Sequence, residues 1–184
     1  MGLSRDDWAR AALFAIAESG TSAVAVEPIA ARLGATKGSF YWHFPNRAAL
    51  VSAALELWEA SATDDVIAAL QDVTDPVERL RLLMTEAFCQ DEEGRAEAAL
   101  LASSDDPVVG PVVRRVTERR LAYLVELFAD LGLTPLEAGR RARLAYGAYT
   151  GWYSLRRIAP EQMDPDERDG YVDHVLRTLV APTS

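Results

Sequence analysis

Signals for the start and end of helices recur along the whole chain, and no stretch shows the sustained apolar–polar alternation of a half-buried strand. Ser4, with Asp7 three residues later, is typical of an N-terminal cap, and Gly20 ends the helix that follows. Thr36 and Asn46 are candidate caps for later helices. This pattern predicts an all-α chain of about nine helices joined by short connections.

The first half of the chain contains short helices followed by a long one. A short second helix has Pro28 in its first turn and ends at Gly34. A third short helix begins after Thr36 and stops before Pro45, which cannot continue a helix. The fourth is predicted to extend over residues 47 to about 70. The sequence therefore predicts a compact three-helix head that leads into a long helix.

The second half contains longer helices. Several of their predicted starts carry proline directly after an acidic or hydroxyl residue, and proline suits the first turn of a helix. Gly94 is predicted to separate two helices. The predicted helices cover residues 75 to about 93, 95–103, 105 to about 132, 134 to about 158, and 164 to just before Pro182.

The composition indicates a packed domain, because 49% of the 184 residues are apolar and 26% are charged. Cys89 is the only cysteine, which excludes an internal disulfide or a multi-cysteine zinc site and favours a reducing compartment. The N-terminal residues do not resemble an export signal. The longest uncharged run, residues 144–155, is shorter than the ~20 residues of a membrane span. We expect a soluble, cytoplasmic protein with no membrane segment.

The net charge of -9 is unevenly distributed. Five basic and four acidic residues lie at or before Arg47, whereas 14 basic and 24 acidic residues follow it. An acidic body repels a polyanion, while a near-neutral end with locally placed cations can approach one. The charge pattern therefore permits nucleic-acid binding only at the N-terminal end.

The first three helices form a helix-turn-helix pattern. Residues 33–36 join the second and third helices, and Gly34 allows the backbone to reverse tightly there. At 100° per residue, Phe40 and Phe44 share one face of the third helix and are predicted to pack inward. The remaining faces carry residues that suit a DNA major groove, namely Lys37, Gly38, Ser39, Tyr41, Trp42 and His43.

Residues 29–50, IAARLGATKGSFYWHFPNRAAL, resemble the DNA-binding signature of the TetR family of transcriptional regulators. The aromatic end of the third helix, followed by the cation Arg47 and by Leu50, makes the match specific. The resemblance implies a homodimer whose N-terminal heads bind a palindromic operator in double-stranded DNA. It implies a DNA-binding domain over residues 1–60 and a ligand-binding and dimerisation domain over residues 61–184. The implied DNA-contacting residues are Thr36, Lys37, Gly38, Ser39, Tyr41, Trp42, His43 and Arg47.

Two residues depart from the family pattern. Glu27 lies at the start of the second helix, where its charge would repel a phosphate. Either this helix stands further from the DNA than usual, or Glu27 accepts a hydrogen bond from a cytosine amino group. Trp42 is large for a base-reading position, and its ring either presses on a sugar or a thymine methyl group or covers the core.

The resemblance also implies a ligand pocket in the body. Large aromatic or softly polar residues occur on the three helices that line the pocket in the family, and they are either pocket residues or core filling. An apolar cavity with a few hydroxyls would suit an apolar or aromatic effector. The candidate pocket residues are Met84, Phe88, Tyr123, Phe128, Tyr146, Tyr149 and Trp152.

The helix that contains residues 144–155 lacks a polar face, which predicts burial on all sides. One side can be the core of the subunit and the other a partner subunit, although a central core helix in a monomer would give the same pattern. Small and apolar residues here and on the last helix form the candidate dimer interface, namely Gly147, Gly151, Leu155, Tyr171, Val175 and Leu179.

Enzymatic motifs are absent from the sequence. We find no phosphate-binding loop, no nucleophile elbow and no pair of histidines at metal-binding spacing, so we expect no catalytic site, no metal and no cofactor. The sequence and the resemblance favour a ligand-responsive transcriptional regulator that acts as a repressor. The alternative is a helical dimer that binds a small molecule or a partner and has lost sequence-specific DNA binding.

Overall fold

The computed structural model describes residues 2–89, 91–162 and 164–181, and these residues form helices, turns and connections without a strand. The α-helices of the described residues are α1 (Arg5–Ser19), α2 (Val26–Arg32), α3 (Lys37–His43), α4 (Arg47–Glu59), α5 (Asp65–Ala69), α6 (Pro76–Cys89), α7 (Asp91–Leu101), α8 (Val109–Asp130), α9 (Pro135–Ile158) and α10 (Arg168–Val180). Because α4 and α5 are parts of one rod, the prediction of about nine helices is confirmed.

The predicted caps form at the head. The Ser4 hydroxyl accepts a hydrogen bond from the Asp7 backbone N–H at 3.2 Å, and the Asp7 carboxylate accepts one from the Ser4 N–H at 2.7 Å. Gly20 ends α1 with a φ of +79°, a conformation that disfavours a side chain. Asn46 caps α4 by accepting from the Ala49 N–H at 2.9 Å.

The long fourth helix is interrupted, contrary to the prediction of one helix over residues 47–70. A π-helical turn, Ala60–Asp64, joins α4 to α5. The chain stays helical through this turn, so α4, the turn and α5 form a rod that leads from the head to the body. Thr63 within the turn is buried, and its hydroxyl accepts a hydrogen bond from Arg120 of α8. Single-turn π-helices inside α-helices often occur at functional sites.

Gly94 does not separate two helices, and that prediction is wrong. It lies inside α7, four residues into the helix. A Cβ atom at this position would lie 2.2 Å from Cζ of Tyr153, so glycine lets α7 and α9 approach closely. α8 also begins later than predicted, at Val109, because Asp106 accepts from the Val108 and Val109 N–H groups and caps the helix there.

The apolar residues form two cores. The first core unites α1 to α4 with α7 and the beginning of α8, and includes Trp8, Phe40, Trp58, Leu100 and Val116. It extends across the predicted domain boundary at residue 60, so the head packs directly on the body. The second core lies among α6, α8, α9 and α10, with fully buried Phe88 and Phe128.

Gly94→Ala should destabilise the protein because the new methyl group would collide with the Tyr153 ring. That ring is buried and its hydroxyl donates to the backbone of Phe88 at 3.1 Å, so it has little room to move. We expect the free energy of unfolding to fall by about 1–3 kcal/mol in a denaturant titration. Gly170→Ala in α10, where no atom lies within 4 Å of the new Cβ, is the control and should not destabilise. Equal stability of the two variants would contradict the close contact between α7 and α9.

Candidate DNA-binding surface and ligand cavity

The third helix is oriented as its sequence predicts. Phe40 and Phe44 are buried, and the Phe40 ring packs edge-on against Trp8 at 5.5 Å between centroids. On the other side, 89% of Trp42 and 56% of Tyr41 are exposed. Trp42 therefore does not cover the core, which removes one of the two roles open to it.

The beginning of α3 is fixed by a local hydrogen bond. The Thr36 hydroxyl accepts from the Ser39 N–H at 3.1 Å. Gly38 is exposed, and a Cβ there would meet only the Thr36 hydroxyl oxygen, at 3.6 Å. Packing within the subunit thus does not require glycine at position 38. The residues that share this exposed face, which we call the recognition surface, are Thr36, Lys37, Gly38, Ser39, Tyr41 and Trp42.

Glu27 pairs with Lys37 across the helix-turn-helix. The Lys37 ammonium donates to the Glu27 carboxylate at 2.8 Å, and both side chains are exposed. This hydrogen bond lowers the pKa of Glu27 and raises the pKa of Lys37, so both stay charged near neutral pH. The pair neutralises the one lysine of the recognition surface. The predictions from the sequence concerned only how Glu27 stands toward DNA and did not include this partner within the protein.

Arg47 is exposed, and its guanidinium braces the head. Its Nε donates to the Val24 carbonyl and its Nη2 to the Thr21 carbonyl, each at 2.6 Å. Both carbonyls belong to the connection between α1 and α2, so Arg47 ties this connection to the beginning of α4. His43 is half-buried at the end of α3, with its ring 6.5 Å from that of Trp8. DNA contact by Arg47 and His43 stays a prediction.

A cavity of about 70 Å³ lies between the rod and the body. The rod, α6, α8 and α9 form its walls, with Ala62, Thr63, Val66, Ile67, Leu83, Met84, Ala87, Arg120, Tyr123, Leu124, Ala145, Tyr146 and Tyr149 as lining residues. Four candidate pocket residues, Met84, Tyr123, Tyr146 and Tyr149, meet there. Phe88, Phe128 and Trp152 do not line this cavity, because they fill the second core behind it.

A buried ion pair closes one side of the cavity. Arg120 of α8 donates to the carboxylate of Glu97 of α7, and only 1% of Glu97 is exposed. The hydroxyls of Tyr146 and Tyr149 also donate to Glu97, each at 2.8 Å. Sequence reasoning missed Arg120 and Glu97, since a lone charged residue in an amphipathic helix gives no sign that it turns inward.

Arg120 also donates hydrogen bonds to the rod. Its Nε donates to the Thr63 hydroxyl at 2.8 Å, and its Nη2 donates to the Ala62 carbonyl at 2.9 Å. The guanidinium lies 5.3 Å from the centroid of the Trp58 ring. One side chain of α8 therefore contacts α7, the end of α4 and the π-helical turn.

Burial and the neighbouring charges keep Arg120, Tyr146 and Tyr149 each in one protonation state. Burial is the largest single effect and lowers the pKa of Arg120, but the charge of Glu97, the two tyrosines and the hydrogen bond to Glu97 together outweigh it, so the pKa rises and Arg120 stays a cation. Burial, and then the charge of Glu97, raises the pKa of Tyr146 and Tyr149. Both phenols therefore stay neutral donors at physiological pH.

Tyr123 differs from the other polar residues that line the cavity. Its hydroxyl oxygen is buried and has no hydrogen-bond partner among the described residues. Burial raises the pKa of this hydroxyl, so it is a neutral donor. Thr63, Tyr146 and Tyr149 already use their hydroxyls within the cluster.

The candidate interface residues fall into two groups. Gly147, Gly151 and Leu155 lie on the outer face of α9, and the exposed Leu144 and Ile158, which the prediction omitted, continue the same stripe. Val175 and Leu179 are instead buried in the second core of their own subunit. The half-buried Tyr171 stacks on Trp152, with 4.9 Å between centroids. The buried Arg141 of α9 donates to the carbonyls of Leu179 and Ala181, which holds the end of α10 against α9.

Two further classes of site do not occur among the described residues. No helix there is both long and apolar enough to cross a membrane. No group of three or more histidine, cysteine, aspartate or glutamate side chains in that part of the chain is arranged to hold a metal ion.

An exposed recognition helix, held by a three-helix head on an all-helical body, defines the class of helix-turn-helix transcriptional regulators. The family model for bacterial regulatory proteins of the tetR family matches residues 10–54, which span α1 to α3 and the first part of α4. The N-terminal part of the chain is thus similar to the DNA-binding region of the TetR family. No curated protein matches the chain significantly in sequence.

Solved structures of TetR-type regulators share the fold over nearly the whole chain. A TetR transcriptional regulator from Legionella pneumophila aligns with a TM-score of 0.82 at 13% identity, covering 97% of this chain and 98% of that one. A transcriptional regulator from Rhodococcus sp. Rha1 aligns with a TM-score of 0.77 at 22% identity, over 97% and 96%. The regulator FadR from Bacillus subtilis, in complex with stearoyl-CoA, aligns with a TM-score of 0.75 at 15% identity, over 98% and 100%.

Glu27→Gln should strengthen DNA binding because it frees the charge of Lys37 at the recognition surface. We expect the slope of log affinity against log salt concentration to steepen by about one unit. Fluorescence anisotropy on a labelled duplex of arbitrary sequence at several salt concentrations measures this slope. Glu78→Gln is the control, because it breaks another exposed, hydrogen-bonded ion pair, with Arg81 in the body, and changes the net charge by the same amount. A slope unchanged by Glu27→Gln would show that Lys37 does not meet phosphate.

Proposed function

We propose that the protein is a ligand-responsive repressor that binds a palindromic operator as a homodimer. The observation that carries this proposal is the recognition surface, where a nearly fully exposed Trp42 stands beside Lys37 and the Thr36 and Ser39 hydroxyls. An isolated tryptophan in solvent has no structural role in the subunit. At the end of a recognition helix, its ring can lie against a thymine methyl group or a sugar.

The outer face of α9 supports dimerisation. Leu144, Gly147, Gly151, Leu155 and Ile158 recur every three or four residues and form one stripe along the helix. Half of Leu155 and 79% of Ile158 are exposed in the single subunit. An apolar stripe of this kind is a site for another protein surface. Pairing of α9 with its symmetric copy would cover it and would hold two heads in one particle.

The position of the cavity supports a response to a small molecule. Ala62, Thr63, Val66 and Ile67 of the rod form one wall, so a ligand that presses on this wall displaces the rod relative to α8. The structure of FadR from Bacillus subtilis contains stearoyl-CoA and supports a small-molecule effector in general. Arg115 and Arg119 of α8 also pair with Glu59 and Asp64 of the rod, both at 2.7 Å between the guanidinium Nε and the carboxylate.

The proposed mechanism is a change in the separation of the two heads. Two recognition helices must lie about 34–36 Å apart to enter successive major grooves. A ligand that binds preferentially when the rod is displaced lowers the population of the DNA-competent state, by no more than its differential affinity allows. The rod carries this displacement because it continues directly from α3 through Pro45 and Asn46.

A second candidate function is a helical ligand-binding dimer without sequence-specific DNA binding. The Glu27–Lys37 pair favours it, because this pair cancels the positive charge that would meet phosphate. Both candidates predict a dimer and a ligand, so DNA selection distinguishes them.

Selection of random duplex DNA by the purified protein at physiological salt should enrich a palindrome. Trp42→Ala should weaken binding to the enriched sequence about fivefold or more, since a good base contact contributes about 1–3 kcal/mol. Its melting temperature should match that of the wild type because the ring is exposed. Arg47→Ala is unsuitable for this test, since it removes the hydrogen bonds that brace the head. A folded wild-type protein that enriches no sequence would support the second candidate.

Leu155→Asp should convert the dimer into a monomer, because it places a charge in the middle of the apolar stripe. Size-exclusion chromatography with light scattering gives the mass directly. Val77→Asp on α6 is the control, since Val77 and Leu155 are each 50% exposed and only Leu155 lies on the stripe. A Leu155→Asp protein that stays dimeric would place the interface elsewhere.

A further inference from the structure

The cavity presents one unused polar group to a ligand. Tyr123 is half-buried and lines the cavity, and its hydroxyl oxygen is buried without a hydrogen-bond partner among the described residues. A buried hydroxyl without a partner is unfavourable, and an acceptor that reaches it removes the penalty. The remaining wall is mainly apolar, with Val66, Ile67, Leu83 and Leu124 among its members.

The charge at the cavity is already balanced. Arg120 is the only cationic residue of the lining, and the Glu97 carboxylate directly neutralises it. Glu97 accepts hydrogen bonds from Arg120, Tyr146 and Tyr149. An anionic ligand that bound Arg120 would leave Glu97 buried with its counter-ion shared or lost, which is strongly unfavourable. The cavity therefore disfavours carboxylates.

The dimensions of the cavity also restrict its occupant. About 70 Å³ is available, enough for a few water molecules. Met84 lies in the wall, and its flexible side chain can move to admit a single ring or a short chain. A long chain would require the rod and α6 to separate widely.

We propose that the effector is a small uncharged, mainly apolar molecule with one hydrogen-bond acceptor, such as a ketone or an ester, and that the Tyr123 hydroxyl donates to this acceptor. The inference rests on the proposed function in taking the cavity as the effector site. Tyr123 thereby determines specificity, since it distinguishes such a molecule both from a hydrocarbon and from an acid.

Three probes of similar size and one shared ring test the proposal, namely acetophenone, ethylbenzene and benzoate. Isothermal titration of the full-length protein, without DNA, measures their affinities. We expect acetophenone to bind at least tenfold more tightly than ethylbenzene, and benzoate to bind more weakly than either. Tyr123→Phe should reduce the affinity for acetophenone to that for ethylbenzene and leave ethylbenzene unchanged.

Tyr171→Phe is the matched control. It removes a phenol hydroxyl from the same body, one that donates to the Ala148 carbonyl and does not line the cavity. This variant should retain the wild-type preference for acetophenone. Tyr123→Phe should also melt no lower than the wild type, because the lost hydroxyl makes no hydrogen bond within the described protein.

Three results would overturn the proposal. They are tighter binding of benzoate than of acetophenone, equal binding of acetophenone and ethylbenzene, and no binding of any probe up to about 10 mM. This concentration is about ten times the upper end of ordinary small-ligand constants. These results are distinct from a failure of the proposed function. A protein that binds acetophenone through Tyr123 but selects no operator would retain the ligand site and lose the regulator function.

Discussion

The buried pair of Arg120 and Glu97 connects the rod, α7, α8 and α9 at one point. Arg120 of α8 donates hydrogen bonds to the π-helical turn of the rod and to Glu97, and Glu97 accepts two more from the tyrosine hydroxyls of α9. Replacing such a pair with apolar residues is often neutral, but removing one partner costs about 3–5 kcal/mol because the other charge stays buried. The pair therefore fixes the position of the rod relative to the body more than it adds stability.

This constraint explains why the head and the body cannot be treated as independent domains. The first core joins α1 to α7, and Leu100 and Val116 lie in the same cluster as Phe40. The rod passes between this core and the cavity. Well-packed side chains thus connect the rod to α3, and the proposed ligand response depends on this connection because protein interiors deform little. The cavity and the recognition surface lie at opposite ends of one mechanical unit.

Local signals allowed much of the head to be predicted. The caps at Ser4 and Asn46, the turn at Gly34 and the inward face of Phe40 and Phe44 all depend on residues within a few positions of each other. Gly94 shows where local reasoning fails, because a glycine inside a helix and a glycine between helices have the same sequence signal. Its role depends on Tyr153, which lies 59 positions further along the chain.

In the body, too, local sequence patterns predicted some features and only the packing of the helices decided others. Periodicity identified Met84, Tyr146 and Tyr149 as large residues on neighbouring helices, but it did not separate them from Phe88, Phe128 and Trp152, which fill the core. The side of a helix that faces a void is set by how its neighbours pack, and only the assembled helices show that.

By itself, the sequence determined the all-α class, the helix-turn-helix and the outward face of the recognition helix, because caps, turns and helical periodicity act over short distances. The tertiary structure decided which charged side chains meet a partner and which of these pairs is buried. Glu27 meets Lys37, Arg47 meets the carbonyls after α1, and Arg120 meets Glu97, and each partnership joins residues at least ten positions apart. Such pairs form only when packing brings their helices together, because a charge is stable away from water only where a partner compensates it.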